Sequence, residues 1–154
     1  MSNAQNTESE AVVVRRVFRA PVATVYRFWS DSERAKRWSW GSEFDTVSID
    51  LECETGGEWH QHIRHRTTGE NWFFDGVFVE VVPERRLVHT FHFRSDRGKD
   101  EPPSLVTIEF LPQDCSTEVV LTHTRLTPEK RGETDAGWKD IFEVLEGLVT
   151  TGAA

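Results

Sequence analysis

Histidine is the residue through which this chain would first be expected to do chemistry. Six are present, and three of them fall within GGEWHQHIRHR, residues 56 to 66, where His60 and His62 are separated by a single residue. An imidazole titrates near neutral pH, so it can act as a general acid or base, or ligate a metal when neutral. A His-x-His pair on a strand sets both rings on one face, as metal sites often require. A barrel-type centre with this spacing would also want a glutamate a few residues on and a second histidine-bearing motif. Glu70 is too far along the chain, and no such motif follows. Alternation then decides: Trp59, Gln61, Ile63 and His65 form the set that holds the large apolar side chains, whereas Glu58, His60, His62 and Arg64 are wholly polar. The pair is predicted to face solvent, and no metal is expected.

The same parity singles out three other rings. His65 goes with Trp59 and Ile63, His89 with Leu87, Phe91 and Phe93, and His123 with Val119 and Leu121. All three are predicted to point inward, as candidate acid/base groups or as groups that orient a carbonyl or phenol. The plainer alternative for each is a buried histidine satisfied by backbone groups. Gln61 and Asp75 are further candidates for polar groups in the interior. There is no Gly-x-Ser-x-Gly elbow, neither Cys53 nor Cys115 has a histidine close in sequence, and no glycine-rich phosphate loop occurs. No cofactor is expected, and whether a reaction is catalysed stays open.

Six Trp and ten Phe stand beside one Tyr and one Met. Aromatics in this number fill a core or line a large apolar pocket. Trp38 and Trp40 are placed at the pocket mouth. Trp59, Gln61 and Ile63 on one strand, and Phe91, Phe93 and Leu121 on others, are placed on its wall. Trp138, Phe142 and Leu145 close it from a helix. Trp29 and Trp72 complete the aromatic set, with a structural role the plainer reading for about half of these indoles.

The elements that must position these groups follow from periodicity. AVVVRRVF, residues 11 to 18, reads as a strand. Pro21 suits a helix start, and Val22, Val25, Tyr26 and Trp29 give that helix an apolar face. Asp31 or Ser32 caps a second short helix ending near Trp38. Period two then holds for about eighty residues. It predicts strands over 44–52, 58–66, 71–82, 86–94, 104–110 and 118–125, with SDRGKDEPP a charged loop too polar to pack. Trp138, Ile141, Phe142, Leu145, Leu148 and Val149 fall at helical spacing, so the chain closes on a long amphipathic helix that starts at Thr134 after a separate turn begun by Thr127-Pro128, with Gly152 as its stop. Such a helix must cover the concave face of a curved antiparallel sheet. The fold class is therefore α+β, a helix-grip arrangement of six to seven strands around the C-terminal helix, with two short helices after the first strand.

Composition narrows the function classes. At 154 residues one domain is expected, over residues 11 to 152, behind a disordered tail of residues 1 to 10 whose Ser-Asn-Ala resembles an expression scar. A net charge of −8 without a basic stripe argues against nucleic acid. No apolar run is long enough to insert in a membrane, no secretory signal is visible, and two cysteines make no disulfide framework, so a cytoplasmic location is expected. Exposed edge strands or a Trp-rich mouth allow a homodimer.

Four stretches in this order resemble the SRPBCC (START-like) superfamily, and within it the family named for activator of heat shock protein 90 ATPase. They are APVATVYRFWSDSERAKRWSWG, GGEWHQHIR, FDGVFVEVVPERRLVHTF and STEVVLTHTRLTPEKRGETDAGWKDIFEVLEGL. The resemblance spans Val12 to Val149. One departure is WSW, where Ser39 separates two indoles that the family more often has adjacent, and no proline follows Gly41. The resemblance implies a cavity between sheet and long helix that holds apolar or aromatic small molecules. It implies no single reaction, because the superfamily also includes polyketide cyclases and aromatases and proteins that bind a chaperone. Three functions follow as expectations: small-molecule binding, a cyclase-like enzyme with an inward histidine, or a chaperone-interaction module. The matched stretches hold no counterpart of the further domain of the eukaryotic activators, so chaperone stimulation is not carried over.

Overall fold

The computed structural model describes residues 11–38 and 43–150. The first strand, β1 (Val12–Phe18), leads into helices α1 (Val22–Ser30) and α2 (Ser32–Ala35). Six strands follow: β2 (Phe44–Leu51), β3 (Glu58–His65), β4 (Asn71–Val82), β5 (Arg86–Ser95), β6 (Ser104–Gln113) and β7 (Ser116–Thr124). Helix α3 (Pro128–Thr150) ends the described chain. All seven strands form one antiparallel sheet in the order β1-β7-β6-β5-β4-β3-β2. This is the helix-grip architecture.

Local chemistry explains the helices. Pro21 cannot donate a backbone N–H and sits as the N-cap of α1, where that donor has no helical partner anyway. Asp31 closes α1 and caps α2, its carboxylate accepting from the Glu33 N–H. Pro128 opens α3 as its first residue. Along α3 the buried residues are Trp138, Ile141, Phe142, Leu145 and Val149, the face predicted from spacing. They pack on the concave side of the sheet, where Phe142 meets Phe18 of β1 at 5.8 Å and Trp138 meets Phe91 of β5 at 6.3 Å. Arg16 of β1 and Glu146 of α3 pair at 2.8 Å and tie the helix to the sheet edge.

Two bulges, between Thr46 and Ser48 on β2 and between Phe78 and Glu80 on β4, interrupt the register on one side of the sheet. Each adds local twist and curls the sheet over the helix. Val47 and Val79, the residues skipped there, are exposed.

Two expectations need correction. Strand β6 runs through Pro112 to Gln113 instead of ending at Phe110. Its pairing to β5 stops at Glu109, so Pro112 lies where that flank has no ladder partner and its missing N–H is tolerated. Helix α3 is one continuous element from Pro128, with no separate preceding turn. The charged loop after β5 stays mostly exposed, as its polarity predicts, yet polar contacts tether it. Asp96 accepts from the Asn71 backbone and side chain, Arg97 donates to the Thr68 carbonyl, Asp100 meets His92 at 2.8 Å, and Glu101 pairs with Lys130 of α3 at 3.0 Å. The expected tail, the Gly152 stop and Trp40 lie outside the described residues.

Candidate functional site

A cavity of about 310 Å³ opens between the sheet and α3. Its inner wall is aromatic: Phe44, Trp72, Phe74, Phe91 and Phe93. Cross-strand register brings these rings together. Phe74 stands opposite Phe93, and their rings stack at 5.3 Å, while Trp72 meets Phe93 at 4.8 Å and Phe44 at 4.6 Å. Contacts of this kind are each worth roughly 0.5–1.5 kcal/mol beyond burial, so the wall is largely preformed. Charged side chains stand only at the rim: Glu43, Lys99, Glu101, Lys130, Glu133 and Asp140. Lys99 lies 5.1 Å over the Trp72 ring and 3.5 Å from Glu70, and Lys130 is held by Glu101, which raises its pKa.

His123 reaches this cavity. Its Nδ1 accepts a hydrogen bond from Trp138 Nε1 at 3.0 Å. An indole N–H can only donate, so the proton of the neutral imidazole is on Nε2. That nitrogen donates to Ser104 Oγ at 2.7 Å, and the hydroxyl donates onward to the Phe91 carbonyl at 3.2 Å. The relay links α3, β7, β6 and β5, and every polar atom along it has a partner. Burial, with a smaller contribution from nearby His89, holds the His123 pKa down to about 3. The ring is therefore neutral at physiological pH, and both its nitrogens are engaged.

His89 lies elsewhere, on a smaller inner chamber of about 50 Å³ beneath α1 and α2. Its Nδ1 is 2.9 Å from the Thr90 carbonyl oxygen and so carries the proton. Trp59 and Phe78 flank the ring at 5.1 and 5.6 Å. Burial pushes its pKa down to about 4, against a smaller opposing effect of the Thr90 hydrogen bond. The Thr90 carbonyl also accepts from Trp59 Nε1 at 3.1 Å. Trp59 can reach it because its indole crosses β4 at Gly76, its cross-strand partner. A Cβ there would lie 2.5 Å from Trp59 Nε1 and 2.0 Å from Thr90 O. Gln61, Trp38 and Trp138 also line this chamber.

His65 reaches neither space among the described residues. It has the inward parity of β3 but is the last residue of that strand. Its Nδ1 accepts from the backbone N–H groups of Thr67 and Thr68 at 3.2 and 3.1 Å, its Nε2 is 3.4 Å from Glu43, and its ring meets Phe44 edge-on at 5.0 Å. It organises the β3–β4 turn. Ile63, Leu121, Phe142 and Leu145 are fully buried in the packed core and line neither space. Asp75 is on the outer face of β4, 3.6 Å from His92, because Phe74, Gly76 and Phe78 take the inward parity. His60 and His62 are on that outer face too. His60 is 3.5 Å from Glu58, and His62 stacks on Phe73 at 4.6 Å and bonds Asn71 at 2.7 Å.

Of the residues named from sequence, the structure therefore brings Trp72, Phe91, Phe93 and His123 to the main cavity, and Trp29, Trp38, Trp59, Gln61, His89, Phe91 and Trp138 to the inner chamber. Sequence reasoning missed Phe44, Phe74 and Ser104. Parity could have found Phe74, which shares the inward face of its strand with Gly76 and Phe78. Ser104 offered no signal, because its role depends on register with His123.

The family model described as Activator of Hsp90 ATPase homolog 1-like protein matches residues 19–150. No curated protein matches the chain. Among solved structures, a Chromobacterium violaceum protein superposes with a TM-score of 0.79 at 22% identity, covering 91% of this chain and 97% of that one. An AHSA1 protein from Silicibacter pomeroyi gives 0.81 at 17% identity, with 92% and 99% covered. An AHSA1-like protein from Aeromonas hydrophila gives 0.75 at 21%, with 93% and 94% covered. At these identities the likeness is one of fold.

Proposed function

Because the chain belongs to the Activator of Hsp90 ATPase homolog 1-like family, within the SRPBCC fold group, we propose that it binds an aromatic or apolar small molecule between its sheet and long helix. The observation that carries this reading is the cavity of about 310 Å³ walled by five aromatic rings. That volume is at the lower end of ligand pockets and suits a one- or two-ring molecule. Its charges stand at the rim, so a ligand's apolar body meets no unpaired charge inside.

The polar groups on the wall favour binding over proton transfer. An acid/base histidine needs a pKa near the working pH and a nitrogen free to face substrate. His123 has neither, being neutral down to about pH 3 and bonded on both sides. Its relay instead fixes the helix over the cavity. The test is titration of the full chain with naphthalene and its alkyl derivatives, followed by quenching of tryptophan fluorescence. Saturable quenching by one equivalent, abolished by Phe93→Lys, is the expected result. Absence of saturable binding by any one- or two-ring probe would sink the reading.

A further inference from the structure

The two interior spaces differ in what their polar groups leave available. Around the main cavity, both nitrogens of His123 are engaged and Ser104 donates to the Phe91 carbonyl, so Trp72 Nε1 is the one buried side-chain donor on that wall, among the described residues, that lacks a partner. Around the inner chamber two such donors stand together with an acceptor. Trp29 and Gln61 are only 6% and 7% exposed, and the Nε1 of one and the Nε2 of the other have no hydrogen-bond partner. Both residues line the chamber. Buried donors without partners are rare in folded proteins, and two beside one cavity call for a ligand or an ordered water. His89 adds the complement. With its proton on Nδ1, bonded to the Thr90 carbonyl, its Nε2 carries a lone pair.

We infer that the inner chamber is a hydroxyl-binding subsite, which takes the terminal alcohol of a ligand whose aromatic body occupies the main cavity. The inference deepens the binding reading above and rests on it. Two donors and one acceptor match a hydroxyl, which accepts from Gln61 and Trp29 and donates to His89. A carbonyl oxygen would leave the His89 lone pair unmatched, and a carboxylate would set a charge against it. Burial keeps His89 neutral at physiological pH, so the lone pair persists. The remaining walls, including Ile49, Leu51 and Ile108, are apolar and suit a short alkyl arm. At about 50 Å³ the chamber admits the end of such an arm and not a ring. Among the described residues, Phe91 alone lines both spaces. The arm passes at Phe91, and in the ligand-free protein water takes the hydroxyl's place.

The test compares phenylpropanol, with its hydroxyl at the chain end, and butylbenzene, which has a methyl group there, by calorimetric titration of the full chain. Wild type should bind the alcohol about fivefold or more tighter than the hydrocarbon, although the alcohol has more to lose on leaving water. In Gln61→Leu that preference should fall to parity or reverse. Trp29→Phe keeps a ring, removes the other donor and should behave in the same way. It decides the matter if Gln61→Leu does not fold. Butylbenzene binding with no advantage for the alcohol, or an advantage that survives both substitutions, overturns the subsite and leaves the cavity reading intact. If neither compound binds wild type, the cavity reading falls and the subsite falls with it.

Discussion

Gly76 shows how much of this interior depends on one missing side chain. Its position on β4 has inward parity, and a Cβ there would sit 2.0 Å from the Thr90 carbonyl oxygen and 2.5 Å from Trp59 Nε1. Without it, the indole of Trp59 crosses the strand and shares the Thr90 carbonyl with His89. The backbone oxygen is the nearer contact and cannot retreat without disturbing the β4–β5 pairing, so Gly76→Ala must strain that pairing as well as displace Trp59. We predict a loss of about 3 kcal/mol, at the upper end of overpacking costs, with a red-shifted tryptophan emission as the indole gains water. Urea unfolding and emission spectra check both; a variant within about 0.5 kcal/mol of wild type would show that Trp59 has room to yield. His65 makes the opposite point. Its parity is inward, yet a strand's last residue turns with the chain, and the backbone donors of the following turn claim its ring.

At the scale of elements, sequence periodicity was nearly sufficient. Strand β4 has the predicted bounds, and β1, β2, β3 and β5 differ by a residue. Half-buried strands write their faces into the sequence by alternation, and α3 writes its face into the spacing of Trp138, Ile141, Phe142, Leu145 and Val149. Register leaves no such trace. Nothing in the order of residues says that Phe74 stands opposite Phe93, or that Ser104 comes within 2.7 Å of His123. Part of the candidate site was therefore legible as a list of inward residues, and its division into two spaces was not. Helix α3 carries a prediction of its own. Gly132 and Gly147 lie within it on exposed positions, and a Cβ at either meets nothing within 4 Å. Alanine there narrows the unfolded ensemble at no steric cost, so each substitution should stabilise by roughly 0.5–1 kcal/mol. The two sites are far enough apart on the helix for the gains to add. The double variant should melt about 2–8 °C higher, and no gain in calorimetry would mean that these glycines meet a demand other than helix formation.

For the molecule as a whole, charge and histidine burial pull in opposite directions as pH falls. With a net charge of −8 and a pI near 5.2, acidification from pH 7 relieves self-repulsion, which by itself favours the folded state. The two buried histidines act against this. In the unfolded chain each takes up a proton near pH 6.5, whereas in the folded chain His89 stays neutral to about pH 4 and His123 to about pH 3. Between these limits the unfolded state holds more protons, so stability rises with pH through the window and falls as pH drops. The stabilisation is complete above pH 6.5 and fades toward pH 4, with a slope of up to about 1.4 kcal/mol per pH unit for each ring. The carboxylates whose pKa is lowered, Glu70 and Asp96, weaken the fold only further down, below about 4.5. The interval from pH 6.5 to 4.5 therefore isolates the histidines. Urea midpoints measured across it should fall steeply and stay level from pH 7 to 8. His89→Phe keeps an aromatic ring and leaves the Thr90 carbonyl bonded to Trp59, so it should fold and show about half the slope. An unchanged slope in that variant, or a wild-type midpoint that rises toward the pI, would place acid sensitivity in surface charge instead of in the two buried rings.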